Sequence, residues 1–217
     1  MKVAVFGCSW SHGIKAVNDR YSWPYALSKL KPEWHIENYA VEGTSLAFQT
    51  FLMDDVLRHH SFDKIIFQIT SPGRITYFEE DYDVLQHVEN ITSNYKHISI
   101  ENGFFRKVIA VTPGHMNLPK KDSFWFPAGK YEFSKSYYSL INKSIFRTEY
   151  KALVHYILSK ANVVFMHNED ILKLNLCPVV MEEVNDDELL KSFIADSGSH
   201  FNKVGCDWQA NWVLDRL

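Results

Sequence analysis

Apolar residues along this chain fall into two alternating patterns, short continuous runs and longer stripes at helical spacing. Val3-Ala-Val-Phe6 is a β-rich run closed by Gly7, the pattern of a strand buried on both faces of a parallel sheet. Ser22 is a suitable N-cap for a helix running to Leu30, with Pro24 tolerated in its first turn. His35–Ala40 reads as a second strand, followed by a turn at Glu42-Gly43. Leu46, Phe48, Phe51, Leu52, Val56 and Leu57 make an apolar stripe that predicts a helix over Leu46–His60. Asp63–Ile69 is the clearest strand, closed by Ser71-Pro72-Gly73.

The second half is less regular. The polar stretch from Tyr77 to about Asn94 reads as a helix of weak periodicity, and Val108–Val111 as a strand or a buried loop. Residues 112–135 combine Gly and Pro with many aromatics, so they form an ordered insertion rather than a linker. Ser136–Lys160 is read as one long helix, Ala161–Met166 as a fourth strand, Asn168–Leu176 as a short helix and Cys177–Met181 as a strand. Lys203–Leu217 is a terminal amphipathic helix carrying Val204, Trp208, Trp212 and Val213. Strands alternating with helices predict one α/β domain over residues 1–217, a three-layer α/β/α sandwich around a mostly parallel sheet.

Composition narrows the function. With 46% hydrophobic and 15% aromatic residues, the 217-residue chain can bury a core without disulfides or metal. A formal charge of −3 gives no global attraction to nucleic acid or anionic membrane, and neither is expected as a partner. Cys8, Cys177 and Cys206 show no paired spacing, which fits a reducing compartment and neither a disulfide framework nor a zinc site. The run Val3–Phe6 is too short for a signal-peptide core or a membrane span, so a cytoplasmic protein is expected. Gly7 to Gly13 lacks the Lys of a phosphate-binding P-loop, and His59-His60 cannot share a helix face for metal binding. No cofactor or metal is implied.

Candidate chemistry clusters where strands end, which is where parallel α/β sheets bind ligands. Gly7-Cys-Ser9-Trp-Ser11 follows the first strand, and a serine on such a turn can present its hydroxyl to solvent beside backbone N–H groups. Asn38-Tyr-Ala-Val-Glu-Gly43-Thr-Ser45 follows the second strand, with Gly43 allowing close backbone approach to a ligand. Gln68-Ile-Thr70-Ser71 ends the third, with Arg74 just beyond. Asp196-Ser-Gly-Ser-His200 precedes the last helix, and a His beside a carboxylate suits general-base work. Each cluster alone has an ordinary reading as a turn or a surface loop. His12 reads as a surface residue, His115 in the aromatic insertion as a lesser candidate for substrate contact, and Trp125, Tyr137 and Tyr138 as rim or core.

Together, in order and spacing, these clusters resemble the motif blocks of the SGNH (GDSL-type) hydrolase family. Gly7-Cys8-Ser9 resembles the nucleophile block, with Cys8 where the family usually has Asp, and Asn38 to Gly43 resembles the second block. Asp196 to Gly205 resembles the last, with His200 as base. The set Gly7-Cys8-Ser9, Ser22-Trp23-Pro24, Asn38 to Ser45, Gln68-Ile69-Thr70 and Arg74 is similar to small bacterial and phage proteins of this family. The resemblance implies a flavodoxin-like sandwich and an esterase using Ser9, His200 and Asp196. It implies an oxyanion held by Ser9 and Gly43, with Thr70 or its neighbour Ser71 in place of the family's Asn, and Arg74 beside them in the oxyanion and substrate-binding set.

Two departures bear on activity. The third block should supply Gly-x-Asn, and this chain has Gln68-Ile69-Thr70; loss of one oxyanion donor typically costs about 10²–10³ in turnover. Asp196 stands four residues before His200 where the family has three. The expected substrate is a small-molecule or glycan ester carrying a short acyl or O-acetyl group. An acyltransferase using the same acyl-enzyme, and a noncatalytic binding protein on the same fold, are the alternatives.

Overall fold

The computed structural model describes residues 1–13, 21–41, 44–70, 75–77, 86–100, 109–111, 143–166 and 201–217. Strand β1 (Lys2–Phe6) leads through a single turn of helix, α1 (Ser9–His12), to α2 (Trp23–Leu30) and β2 (His35–Asn38). Helix α3 (Leu46–His59) and strands β3 (Lys64–Ile69) and β4 (Ile75–Tyr77) follow. Then come β5 (Gln86–Thr92), β6 (Tyr95–Ile100), β7 (Ile109–Val111), α4 (Lys143–Lys160), β8 (Val163–Met166) and α5 (Lys203–Leu214).

The main sheet has the order β5-β6-β2-β1-β3-β8, and β4 pairs with β7 in a separate two-stranded ribbon. Every pairing in the main sheet is parallel except that of the edge strand β5 with β6. After Lys2, central β1 is apolar throughout, and Val3 to Phe6 are fully buried because helices cover both faces. Side chains alternate across it. Val3 and Val5 pack with Trp23 and Leu27 of α2 and Ala210 and Val213 of α5. Ala4 and Phe6 pack with Leu52, Met53 and Val56 of α3 and Val154 and Ile157 of α4. Truncating a fully buried aromatic such as Phe67 to Ala would cost about 3–5 kcal/mol. The architecture is the expected α/β/α sandwich with a mostly parallel sheet.

The helix starts follow their caps. Ser22 Oγ accepts from Tyr25 N at 3.5 Å, Ser45 Oγ from Phe48 N at 3.3 Å, and Asn202 Oδ1 from Gly205 N at 3.0 Å. No described helix is long and apolar enough to cross a membrane.

Among the described residues of the stretch expected as a helix, Tyr77 to about Asn94, there is no helix. Tyr77 ends a strand, and Gln86–Thr92 is paired antiparallel with Tyr95–Ile100 as a hairpin. β-Branched Val88, Ile91, Thr92, Ile98 and Ile100 flank a Ser93-Asn94 turn, and the weak helical period concealed this hairpin signal. Val108–Val111 resolves as a strand over Ile109–Val111, and α4 is described from Lys143. The segments around 112–135, Asn168–Leu176 and Cys177–Met181 lie outside the described residues.

Candidate active site

The chain passes from β1 to β2 on one side and from β2 back across to β3 on the other. The order therefore reverses between β1 and β3, and the crevice at the carboxyl ends of those two strands is the expected ligand position. Ser9 follows β1 and Thr70 follows β3, so the two described candidates flank that point.

The turn after β1 is built by its own backbone. Cys8 O accepts from Ser11 N and His12 N, each at 2.9 Å, and Ser9 O accepts from Gly13 N at 3.1 Å. Gly13 closes the turn at φ 82°, a conformation that favours glycine. Gly7 is demanded by proximity. A Cβ there would lie 2.9 Å from both Gln68 Cβ and Ser11 Oγ. Ser9 is 5% exposed and so does not stand out into solvent as the sequence suggested, and Cys8 and Ser11 beside it are buried as well.

Beneath the turn lies a buried polar network. Ser11 Oγ accepts from Trp23 Nε1 at 3.0 Å and donates to Gln68 Oε1. Asn38, at the end of β2, donates to Ser11 O at 2.8 Å and to Tyr95 Oη at 3.0 Å, and accepts from Ala40 N at 3.1 Å. Tyr95 shares a hydrogen bond with Ser22 Oγ at 3.2 Å. Burial pushes the Tyr95 phenol up to about 12, so it stays neutral and serves the network as a hydroxyl.

A second link joins the turn after β1 to Val41 and Thr44. Gly7 N donates to Gln49 Oε1 at 3.2 Å, Gln49 Nε2 to Thr44 Oγ1 at 2.6 Å, and Thr44 Oγ1 to Val41 O at 2.7 Å. In the sequence Ser11 reads only as the end of the cluster after the first strand, with no role of its own, and Gln49 and Tyr95 are not singled out. For Gln49 the available signal was a polar residue inside an apolar helix stripe.

At the end of β3, Thr70 is 1% exposed and its Oγ1 has no hydrogen-bond partner among the described residues. Its carbonyl accepts from Tyr150 Oη at 2.9 Å, which pins the strand end to α4. On the other side of the turn, Trp10 meets Phe201 edge to face, with ring centroids 4.7 Å apart, and Phe201 contacts Trp208 at 6.3 Å. His12 is half-buried rather than on the surface: its Nδ1 lies 3.0 Å from Ala40 O and its ring 4.5 Å from that of His97.

Gly43, Ser71, Arg74, Asp196 and His200 lie outside the described residues, as do His115, Trp125, Tyr137 and Tyr138. Among the described residues no group of three or more His, Cys, Asp or Glu could hold a metal ion.

No family model matches the chain, and no curated protein matches it. Among solved structures it is similar to the lipase/acylhydrolase from Enterococcus faecalis, at 10% identity, with 99% of this chain and 93% of that chain covered and a TM-score of 0.47. A likeness at that level bears on neither the activity nor the site residues.

Proposed function

We propose that this chain is a serine hydrolase of the SGNH type that cleaves an ester of a short acyl group. The observation that carries the reading is the Trp10–Phe201 contact. Trp10 is the residue after Ser9, and Phe201 is the residue after His200, so the two chain segments expected to supply nucleophile and base meet beside the switch point.

Ser9 Oγ attacks the acyl carbonyl carbon while His200 takes its proton. The oxyanion that forms accepts from the N–H groups of Ser9 and Gly43 and from the Thr70 hydroxyl. Thr70 is a reasonable stand-in for the missing Asn, because its buried Oγ1 has no described partner to compete for it. Collapse of the intermediate breaks the ester C–O bond, and His200 returns the proton to the leaving alkoxide. Water then attacks the acyl-enzyme, losing a proton to His200, and releases the acid with Ser9 restored. Asp196 orients the imidazole, and Ser71 and Arg74 contact substrate.

Hydrolysis of p-nitrophenyl acetate tests this reading. Wild type should release a burst of p-nitrophenol that Ser9→Ala and His200→Ala both abolish. The rate should rise with pH through one ionisation near the ordinary His value of about 6.5. Equal turnover by wild type and Ser9→Ala would dismiss the proposal.

A further inference from the structure

The buried hydroxyl of Ser11 has a task that a mere turn residue would not need. We infer that Ser11 is a positioning residue for the Ser9 nucleophile, its side chain held between Trp23 and Gln68 so as to set how the turn leaves β1. The inference rests on the hydrolase reading of Ser9.

The chemistry of the three groups fixes the direction of the relay. An indole N–H can only donate, so Ser11 Oγ must accept from Trp23 Nε1 at 3.0 Å. The one hydroxyl proton of Ser11 is then left for Gln68 Oε1, which accepts it. A carbonyl oxygen can only accept, so Ser11 O takes the amide hydrogen of Asn38 at 2.8 Å. One fully buried residue thus ties α2, β2 and β3 to a turn that begins two residues earlier with Ser9. Nothing else in the geometry of the turn needs that hydroxyl, because its own helical hydrogen bonds are made by the backbone of Cys8, Ser9, Ser11, His12 and Gly13. Alanine would still form the turn. It would leave Trp23 Nε1 and Gln68 Oε1 unpaired, and the turn would lose its side-chain attachment to β3.

The test is the inactivation of wild type, Ser11→Ala and Trp23→Phe by a fluorophosphonate, with the maximal rate kinact separated from the binding constant KI. Folded protein is quantified by circular dichroism. Ser11→Ala should lower kinact by about 10- to 100-fold, the range expected of a small misplacement of a reacting group, with KI nearly unchanged. Trp23→Phe removes the donor yet keeps a ring, and should lower kinact in the same direction. The double variant should fall short of the product of the two effects, since both break one relay. Folded Ser11→Ala with the wild-type kinact, or a failure of both single variants to fold, would make Ser11 purely structural and overturn the inference. A wild type that never labels would instead condemn the hydrolase reading, and this inference with it.

Discussion

Trp10 and Phe201 pack edge to face, their ring planes 83° apart, and so join the turn after β1 to the segment that opens α5. An aromatic pair in this geometry is worth about 0.5–1.5 kcal/mol beyond the area it buries. A double-mutant cycle on Trp10→Ala and Phe201→Ala, read by urea unfolding, should return a coupling energy in that range. Each truncation should also slow acylation of Ser9 by about tenfold or more, because the His200 segment loses its tether. Additive stabilities with unaltered acylation would show that the contact is incidental.

Thr70 offers a test in which stability and activity move in opposite senses. Its hydroxyl is buried without a described partner, and an unmet buried polar group costs about 1–3 kcal/mol. Thr70→Val replaces that hydroxyl by a methyl group of similar shape. The variant should be at least as stable as wild type in thermal unfolding, yet turn over about 10²–10³ more slowly if the hydroxyl serves the oxyanion. Unchanged turnover would remove Thr70 from the oxyanion hole.

The sandwich was legible because its central strands are buried on both faces. Val3–Phe6 and Ile65–Phe67 are short continuous apolar runs of the kind a covered parallel sheet accommodates, and Ser22 and Ser45 mark their helices by capping. The β5–β6 hairpin was missed because it lies at the sheet edge. Its polar residues, Gln86, Glu89, Asn90 and Lys96, obscured the two-residue alternation. Within the site, Ser9 and Thr70 were read from their places after strands. The braces were not, since the bonds Ser11–Gln68, Gly7–Gln49 and Asn38–Tyr95 join residues distant in sequence, which meet only once β1, β2, β3 and β6 are paired and α3 packs on the sheet.

Acid should weaken the junction of α3 and α4. Asp54 accepts from Tyr156 Oη and pairs with Arg58. The Tyr156 hydrogen bond above all holds its carboxyl below the ordinary range. A lowered folded value means that the stabilisation is present above the unfolded value of about 3.9 and disappears as pH falls through the folded one. The exposed setting keeps the effect small. Urea midpoints followed from about pH 6 down to about pH 2 should therefore show a shallower acid limb in Asp54→Asn than in wild type. Parallel limbs would mean that Asp54 does not titrate with folding.

The measurement that decides most is the location of the fluorophosphonate adduct by peptide mass spectrometry, in wild type and in His200→Ala. An activated nucleophile at the end of β1, served by His200, predicts one adduct, on Ser9 in the peptide containing Gly7-Cys8-Ser9-Trp10, absent or strongly reduced in His200→Ala. An adduct on another residue, or equal labelling of Ser9 without His200, would contradict it.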